Sequence, residues 1–236
     1  FFDQIVNNAD SFNQNLQHWD VSNVTDMRFM FFIIDANGGS FDQPLNSWDV
    51  SNVTNMFAMF SGQPFNQPLD NWDVSQVTNM QGIFSASLFN QPINNWDVSN
   101  VTIMGAMFGD NSNFNQPLDN WDVSNVTSMN QMFRGATAFN QDLSGWSFNQ
   151  NIEFSGFLNN SGLSIANYDL LLQTFDNQNL VDKNFEAISL GYCDESTRNN
   201  LINNKNWTIT GDVLGQCGAT FNPSTTPFVT TWTVQQ

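Results

Sequence analysis

Between Phe12 and Phe157 the chain writes one motif six times, Phe-Asn-Gln-Pro-Leu-x-x-Trp-Asp-Val-Ser-x-Val-Thr-x-Met-x-x-Met-Phe, with local substitutions. Its tryptophans at 19, 48, 72, 96, 121 and 146 are spaced by 29, 24, 24, 25 and 25 residues. A near-constant period of this size predicts an array whose copies are each too small to bury their own apolar face and which closes by stacking copy on copy. Function is then to be sought on the faces of the stack.

Within the third copy, Leu69, Trp72 and Val74 alternate with Asp73 and Ser75 in a way that predicts a short strand with one buried face. Met80, Ile83 and Phe84 follow with the i, i+3, i+4 spacing of a helical turn, and Thr78 stands where an N-cap hydroxyl is wanted. The same triplet recurs at Met27, Met30, Phe31; Met56, Met59, Phe60; Met104, Met107, Phe108; and Met129, Met132, Phe133. Prolines 44, 68, 92 and 117 then break the turn before the next strand.

The Leu-x-x-Trp-x-Val stretch resembles the Leu-x-x-Leu-x-Leu strand of leucine-rich repeats, with Trp in the middle slot. The fuller motif, across roughly residues 1–158, resembles the repeat of bacterial surface proteins related to the BspA-like leucine-rich-repeat proteins. The resemblance implies an α/β repeat solenoid, a right-handed coil of short parallel strands and short helical turns, on a bacterial cell surface or secreted. One departure is that Val24, Val53, Val77, Val101 and Val126 fill the slot where leucine-rich repeats carry a laddering Asn. The Asn of Phe-Asn-Gln is the candidate replacement.

The sixth copy decays after Trp146 into Ser147, Phe148 and Asn149, with Phe154, Phe157 and Leu158 in place of Met, Met and Phe. A terminal coil must differ because its outer side lacks a neighbour. The expected organisation is therefore a repeat solenoid over 1–158, six copies plus the end of a preceding one at Phe1 and Phe2, and a small non-repeating α/β cap over 159–217. The cap should hold helices near Ser164–Phe175 and Glu195–Asn203 and apolar runs at Phe185–Leu190 and Trp207–Val213. Residues 218–236 read as a linker and the start of a following module. The longer spacing between Phe31 and Phe41 reads as a loop insertion.

Cys193 and Cys217, both in the cap, form a disulfide worth roughly 3 kcal/mol if the compartment is oxidising, and otherwise are buried thiols. With 22 acidic against 5 basic residues the net charge is −17. Nucleic acid is excluded as a partner because phosphate binding needs a cationic face, and an anionic membrane would repel the chain. No apolar stretch is long enough to span a bilayer.

Stacking converts each repeated position into a column with about 5 Å between neighbours. The Trp column shares the phase of the buried Val and belongs to the core. Asp20, Asp49, Asp73, Asp97 and Asp122 have the opposite phase and form an acidic row on the strand face, repelling by roughly 1 kcal/mol per contact at solvent-like dielectric. That row is the candidate binding site, for cationic groups of a partner or for Ca²⁺, against the plainer reading that each Asp satisfies local hydrogen bonds. The Thr column could order water as an ice-binding face does, but capping explains it better.

No phosphate loop, nucleophile-base pair or metal-ligand cluster can be assembled from the sequence. The expected function is a non-enzymatic, adhesin-type surface module without a resident cofactor. It would bind a surface protein or glycan of another cell or of its own assembly, and contact neighbouring modules of its own chain. The alternatives are a rigid spacer within a long adhesin or filament and a Ca²⁺-binding solenoid.

Overall fold

The computed structural model describes residues 11–33 and 38–217. The expected preceding copy at Phe1 and Phe2, part of the loop insertion (34–37) and the expected linker and module at 218–236 lie outside the described residues.

Successive copies lie side by side in parallel register: Asp26 pairs with Asn55, Asn55 with Asn79, Asn79 with Ile103, Ile103 with Ser128, and Ser128 with Glu153. These residues stand between Thr and Met, or in the sixth copy between Ile152 and Phe154, so the ladder uses the Thr-x-Met-x-x-Met-Phe half of the motif. The strand expected at Leu69–Val74 is not formed. Leu-x-x-Trp closes a turn instead, Trp72 N–H donating to the Leu69 carbonyl at 3.1 Å, and Val-Ser-x-Val closes a second, Val77 N–H donating to Val74 at 2.9 Å.

The helical turns of the expected fold are also replaced. The N–H groups of Met80, Gly82, Phe84 and Ala86 donate to the carbonyls of Ile103, Gly105, Met107 and Gly109 in the next copy at 2.8–3.0 Å. Backbone bonds that a helix would keep within itself thus join neighbours, and among the described residues no helix precedes Ile165. The third residue of each Met-x-x-Met unit, Phe29, Ala58, Gly82, Ala106, Gln131 and Gly156, has a left-handed φ between +50° and +65°. This bend turns Met80, Ile83 and Phe84 all inward, giving the helical burial pattern without a helix.

Aromatic rings fill the interior in two columns. Within a copy Phe60–Phe65, Phe84–Phe89, Phe108–Phe114 and Phe133–Phe139 stack at 3.7–4.1 Å between centroids. Across copies Phe60–Phe84, Phe84–Phe108 and Phe108–Phe133 stack at 5.6–5.9 Å. The tryptophans from Trp48 to Trp146 are at most 3% exposed, whereas Trp19 in the first copy is 39% exposed. Each buried indole satisfies its N–H on the preceding copy, Trp72 Nε1 on the Leu45 carbonyl and Trp96 Nε1 on Leu69, both at 3.0 Å.

The Asn of Phe-Asn-Gln does form a ladder. Asn13 Oδ1 accepts from Asp42 N–H, Asp42 from Asn66, Asn66 from Asn90, Asn90 from Asn115, Asn115 from Asn140, and Asn140 from Ser164. Glutamines 43, 91, 116 and 141 add Nε2 bonds to the same oxygens. A side-chain amide supplies an acceptor that the irregular backbone lacks there, one per copy.

The ladder hands over to the cap at Ser164, which is the N-cap of α1 (Ile165–Asn177). Then follow β1 (Asn184–Glu186), β2 (Gly191–Tyr192), α2 (Glu195–Asn204), β3 (Thr208–Thr210) and β4 (Val213–Leu214). The helices fall where expected, and Cys193 and Cys217 are disulfide-bonded. The cap is not free of repetition, however. β1 pairs in parallel with β3 and β2 with β4, so helix-strand-strand occurs twice. Trp207 Nε1 donates to the Leu180 carbonyl at 2.8 Å, the contact made by every buried tryptophan of the array. Two further coils are present, with real helices as their return segments.

Candidate functional site

The outer surface of the array carries two kinds of column. The first is repeated and exposed. Asp20, Asp49, Asp73, Asp97 and Asp122 are all exposed, but they precede the Val-Ser-x-Val turn and so flank the ladder instead of lying on it. Each Oδ1 accepts the N–H of the serine two residues on, at 3.0–3.1 Å. Ser22, Ser51 and Ser99 add their hydroxyls at 2.6–2.7 Å. The plainer reading of the row therefore describes its first oxygen.

These bonds have a titration signature. The Ser hydroxyl first and the Ser N–H second hold the carboxyls of Asp20, Asp49 and Asp122 below their ordinary value of 3.8. A carboxyl whose folded pKa is lowered contributes stability above its unfolded pKa and loses it as pH falls through the folded value. Ser51→Ala should therefore move the Asp49 midpoint, followed by carboxyl NMR, up towards the ordinary value. An unmoved midpoint would show that the hydroxyl does not set it.

The Thr column is exposed too, and its hydroxyls are occupied: Thr54, Thr78, Thr102 and Thr127 Oγ1 donate to the Thr carbonyl of the preceding copy at 3.1–3.3 Å. The expected capping role is thus replaced by cross-linking. Asn52, Asn100 and Asn125 Nδ2 likewise donate to Ser22, Ser75 and Ser99 carbonyls at 2.7–2.8 Å. Their repetition has a structural cause.

The second kind of column changes from copy to copy and is mostly half-buried, with Gln81, Glu153 and Ser155 exposed and Gly105 buried. On the open side of the ladder stand Asp26, Asn55, Asn79, Ile103, Ser128 and Glu153, each followed two residues later by Arg28, Phe57, Gln81, Gly105, Asn130 and Ser155. Apart from Gly105, which is buried with the Asn130 carbonyl 3.3 Å from where a Cβ would stand, these side chains lie outside the aromatic core, so they are where one copy can differ chemically from the next. Sequence reading passed over them because repetition drew attention to the constant slots. The signal was available as the variation between copies.

Phe29, one slot further on, is the outlier of its own column. It holds φ at +57°, where the equivalent residues of the other copies are Ala, Gly or Gln, and a left-handed backbone costs a non-glycine residue about 1–2 kcal/mol. Its ring packs edge-on against Phe57 of the next copy at 4.7 Å and 71° and against Phe32 at 5.1 Å and 60°. All three rings are half-buried. Beside them the Arg28 guanidinium pairs with Asp26 at 3.1 Å.

Where the sixth copy meets the cap, the bridge column stops at Glu153 and β1 pairs only with β3 among the described residues. A cleft of about 460 Å³ opens there, lined by Asn130, Glu153, Ser155, Asp182, Lys183 and Asn184. Lys183 Nζ is tied to the Gln150 carbonyl at 2.7 Å, and burial lowers its pKa. Among the described residues no three His, Cys, Asp or Glu side chains gather closely enough to hold a metal ion.

Two overlapping stretches, residues 2–87 and 62–169, match the family described as Mycoplasma protein of unknown function, DUF285, and together they span more than half of the chain. The chain belongs to this family. The DUF285 match covers the array and reaches into α1, where the Asn ladder ends at Ser164. No curated protein and no solved structure is significantly similar to this DUF285 chain. Among the described residues no helix is long and apolar enough to cross a membrane.

Proposed function

We propose that this DUF285 chain is a non-enzymatic, adhesin-type repeat module of a bacterial cell surface or secreted protein, built as a leucine-rich-repeat-like solenoid. It binds a protein or glycan of another cell, or of its own assembly, across the open side of the ladder and the flanking Asp row. One observation carries the reading: the ladder slots, half-buried to exposed in all but Gly105, vary between copies while the Thr and Asn slots around them, held by bonds between copies, recur. A partly solvent-facing row that varies while the joints between copies stay constant is what recognition requires. The family match supports a bacterial origin, and the disulfide suits an oxidising exterior.

The Asp row is tested by Asp73→Asn together with Asp97→Asn. Asn keeps the Oδ1 acceptor for Ser75 and Ser99 N–H, so the fold should be retained with little change in Tm. Affinity for a ligand found on protein and glycan arrays should fall about tenfold, the equivalent of 1.4 kcal/mol. Unchanged affinity would remove the row from the site. A chain that captures nothing reproducible on either array would instead be the rigid spacer, a reading favoured by the uniform joint between copies.

A further inference from the structure

We propose that the ring cluster of Phe29, Phe32 and Phe57 is a stacking site for a neutral glycan, with Asn55, Asn79 and Gln81 as its hydrogen-bonding rim. The inference rests on the binding-module reading and narrows it to one ligand class and to the first copies of the ladder.

The fold does not call for these rings. Later copies close the same turn with Gln81 and Gly82, Gly105 and Ala106, Asn130 and Gln131, or Ser155 and Gly156 in the slots of Phe57's and Phe29's kind. Every copy holds the left-handed backbone at the Phe29 slot, and only here does an aromatic ring fill it, where the other copies carry Ala, Gly or Gln. The two contacts at 60° and 71° leave the three half-buried rings in different planes, each partly in solvent.

Charge selects the ligand. A chain of net charge −17 repels anions, and the one guanidinium at the patch is already neutralised by Asp26. Asp26 is in turn unavailable to a cation, being held by Arg28 at both its N–H and its side chain. What remains is a locally neutral surface of ring faces bordered by amides. Asn55 and Asn79 use Oδ1 on the N–H groups of Phe57 and Gln81. Among the described residues their Nδ2 groups, and the Gln81 carboxamide, have no hydrogen-bond partner. A sugar ring matches this set: its C–H face lies on an aromatic ring and its hydroxyls meet amide donors and acceptors. An apolar peptide side chain would leave those amides unpaired.

The test transplants the third copy's residues, Phe57→Gln and Phe29→Gly, which the same turn already tolerates at Gln81 and Gly82. The full chain and both variants are titrated with a panel of neutral hexose and N-acetylhexosamine oligosaccharides. The expected result is binding by the parent chain, weakened about tenfold or more in each variant, with both variants folded by circular dichroism. If oligosaccharides bind and both variants bind equally well, the ring cluster is overturned while the module reading stands. Should no oligosaccharide bind but an array protein bind and be lost with Phe57→Gln, the glycan class is overturned. No ligand of either kind would overturn this inference and the module reading together.

Discussion

Phe108→Ala should destabilise the chain by about 3–5 kcal/mol, the range for emptying a fully packed aromatic site. Phe108 is wholly buried and stacks on Phe114 within its copy at 3.7 Å and on Phe84 and Phe133 on either side at 5.9 and 5.6 Å. One truncation therefore removes a stack within its copy and weakens the joints on both sides. In an array where each copy touches only its neighbours, an interior lesion also uncouples the copies on its two sides. Urea unfolding should accordingly lose its single transition as well as its midpoint. Phe12, only partly buried at the edge of the core, makes a comparison site: its Ala variant should lose far less and keep one transition. Equal losses at the two positions would mean that stacking between copies is not what holds the array.

Asp212→Ala should be comparably severe, and confined to the cap. The Asp212 carboxylate is fully shielded and receives Arg198 Nε and Nη2, each at 2.7 Å, while the buried Tyr168 hydroxyl donates to it at 3.2 Å. Arg198 also lies over the Tyr192 ring at 4.7 Å. The carboxylate and burial together push the Tyr168 hydroxyl well above its usual range, burial being the larger cause, and Asp212 holds the Arg198 guanidinium more firmly charged. Removing one member of a buried ion pair strands the other, at about 3–5 kcal/mol. Hydrogen exchange should show β3 and β4 opening first, with the array unaffected. Replacing both partners, Arg198→Met with Asp212→Leu, leaves no stranded charge and should recover most of the loss. If the double variant is no better than the single one, the stranded charge is not the cause.

The array was legible because its core is repeated. The Trp, Val and Phe columns, the inward phase of tryptophan and the replacement Asn ladder could all be read from period and alternation. What misled was degeneracy in the burial pattern. Met80, Ile83 and Phe84 point inward at i, i+3 and i+4 whether the backbone is helical or bent by a left-handed residue at Gly82, and the pattern cannot say where the N–H groups go. The cap's two coils escaped because Leu180 and Trp207 keep the array's contact after every flanking residue has changed. At the candidate site, Asp49 was found by phase, but its bond to Ser51 and its place beside the ladder needed coordinates. Phe29 and Phe57 were visible as letters that break the repeat. Only the coordinates brought the two together, with the Phe29 ring edge-on against Phe57 of the next copy.

Joints between interior copies are made of the same parts throughout: an indole N–H on the preceding Leu or Ile carbonyl, an Asn Oδ1 on the next Asn N–H, a Thr hydroxyl on the preceding Thr. Excising or duplicating one whole copy would therefore bring together two surfaces that already know how to join. The gene can lengthen or shorten its product by unequal recombination without inventing a new contact, each event moving the two ends by about 5 Å. Length becomes a heritable dial, adjustable in equal steps and independent of the residues that fill the outward slots.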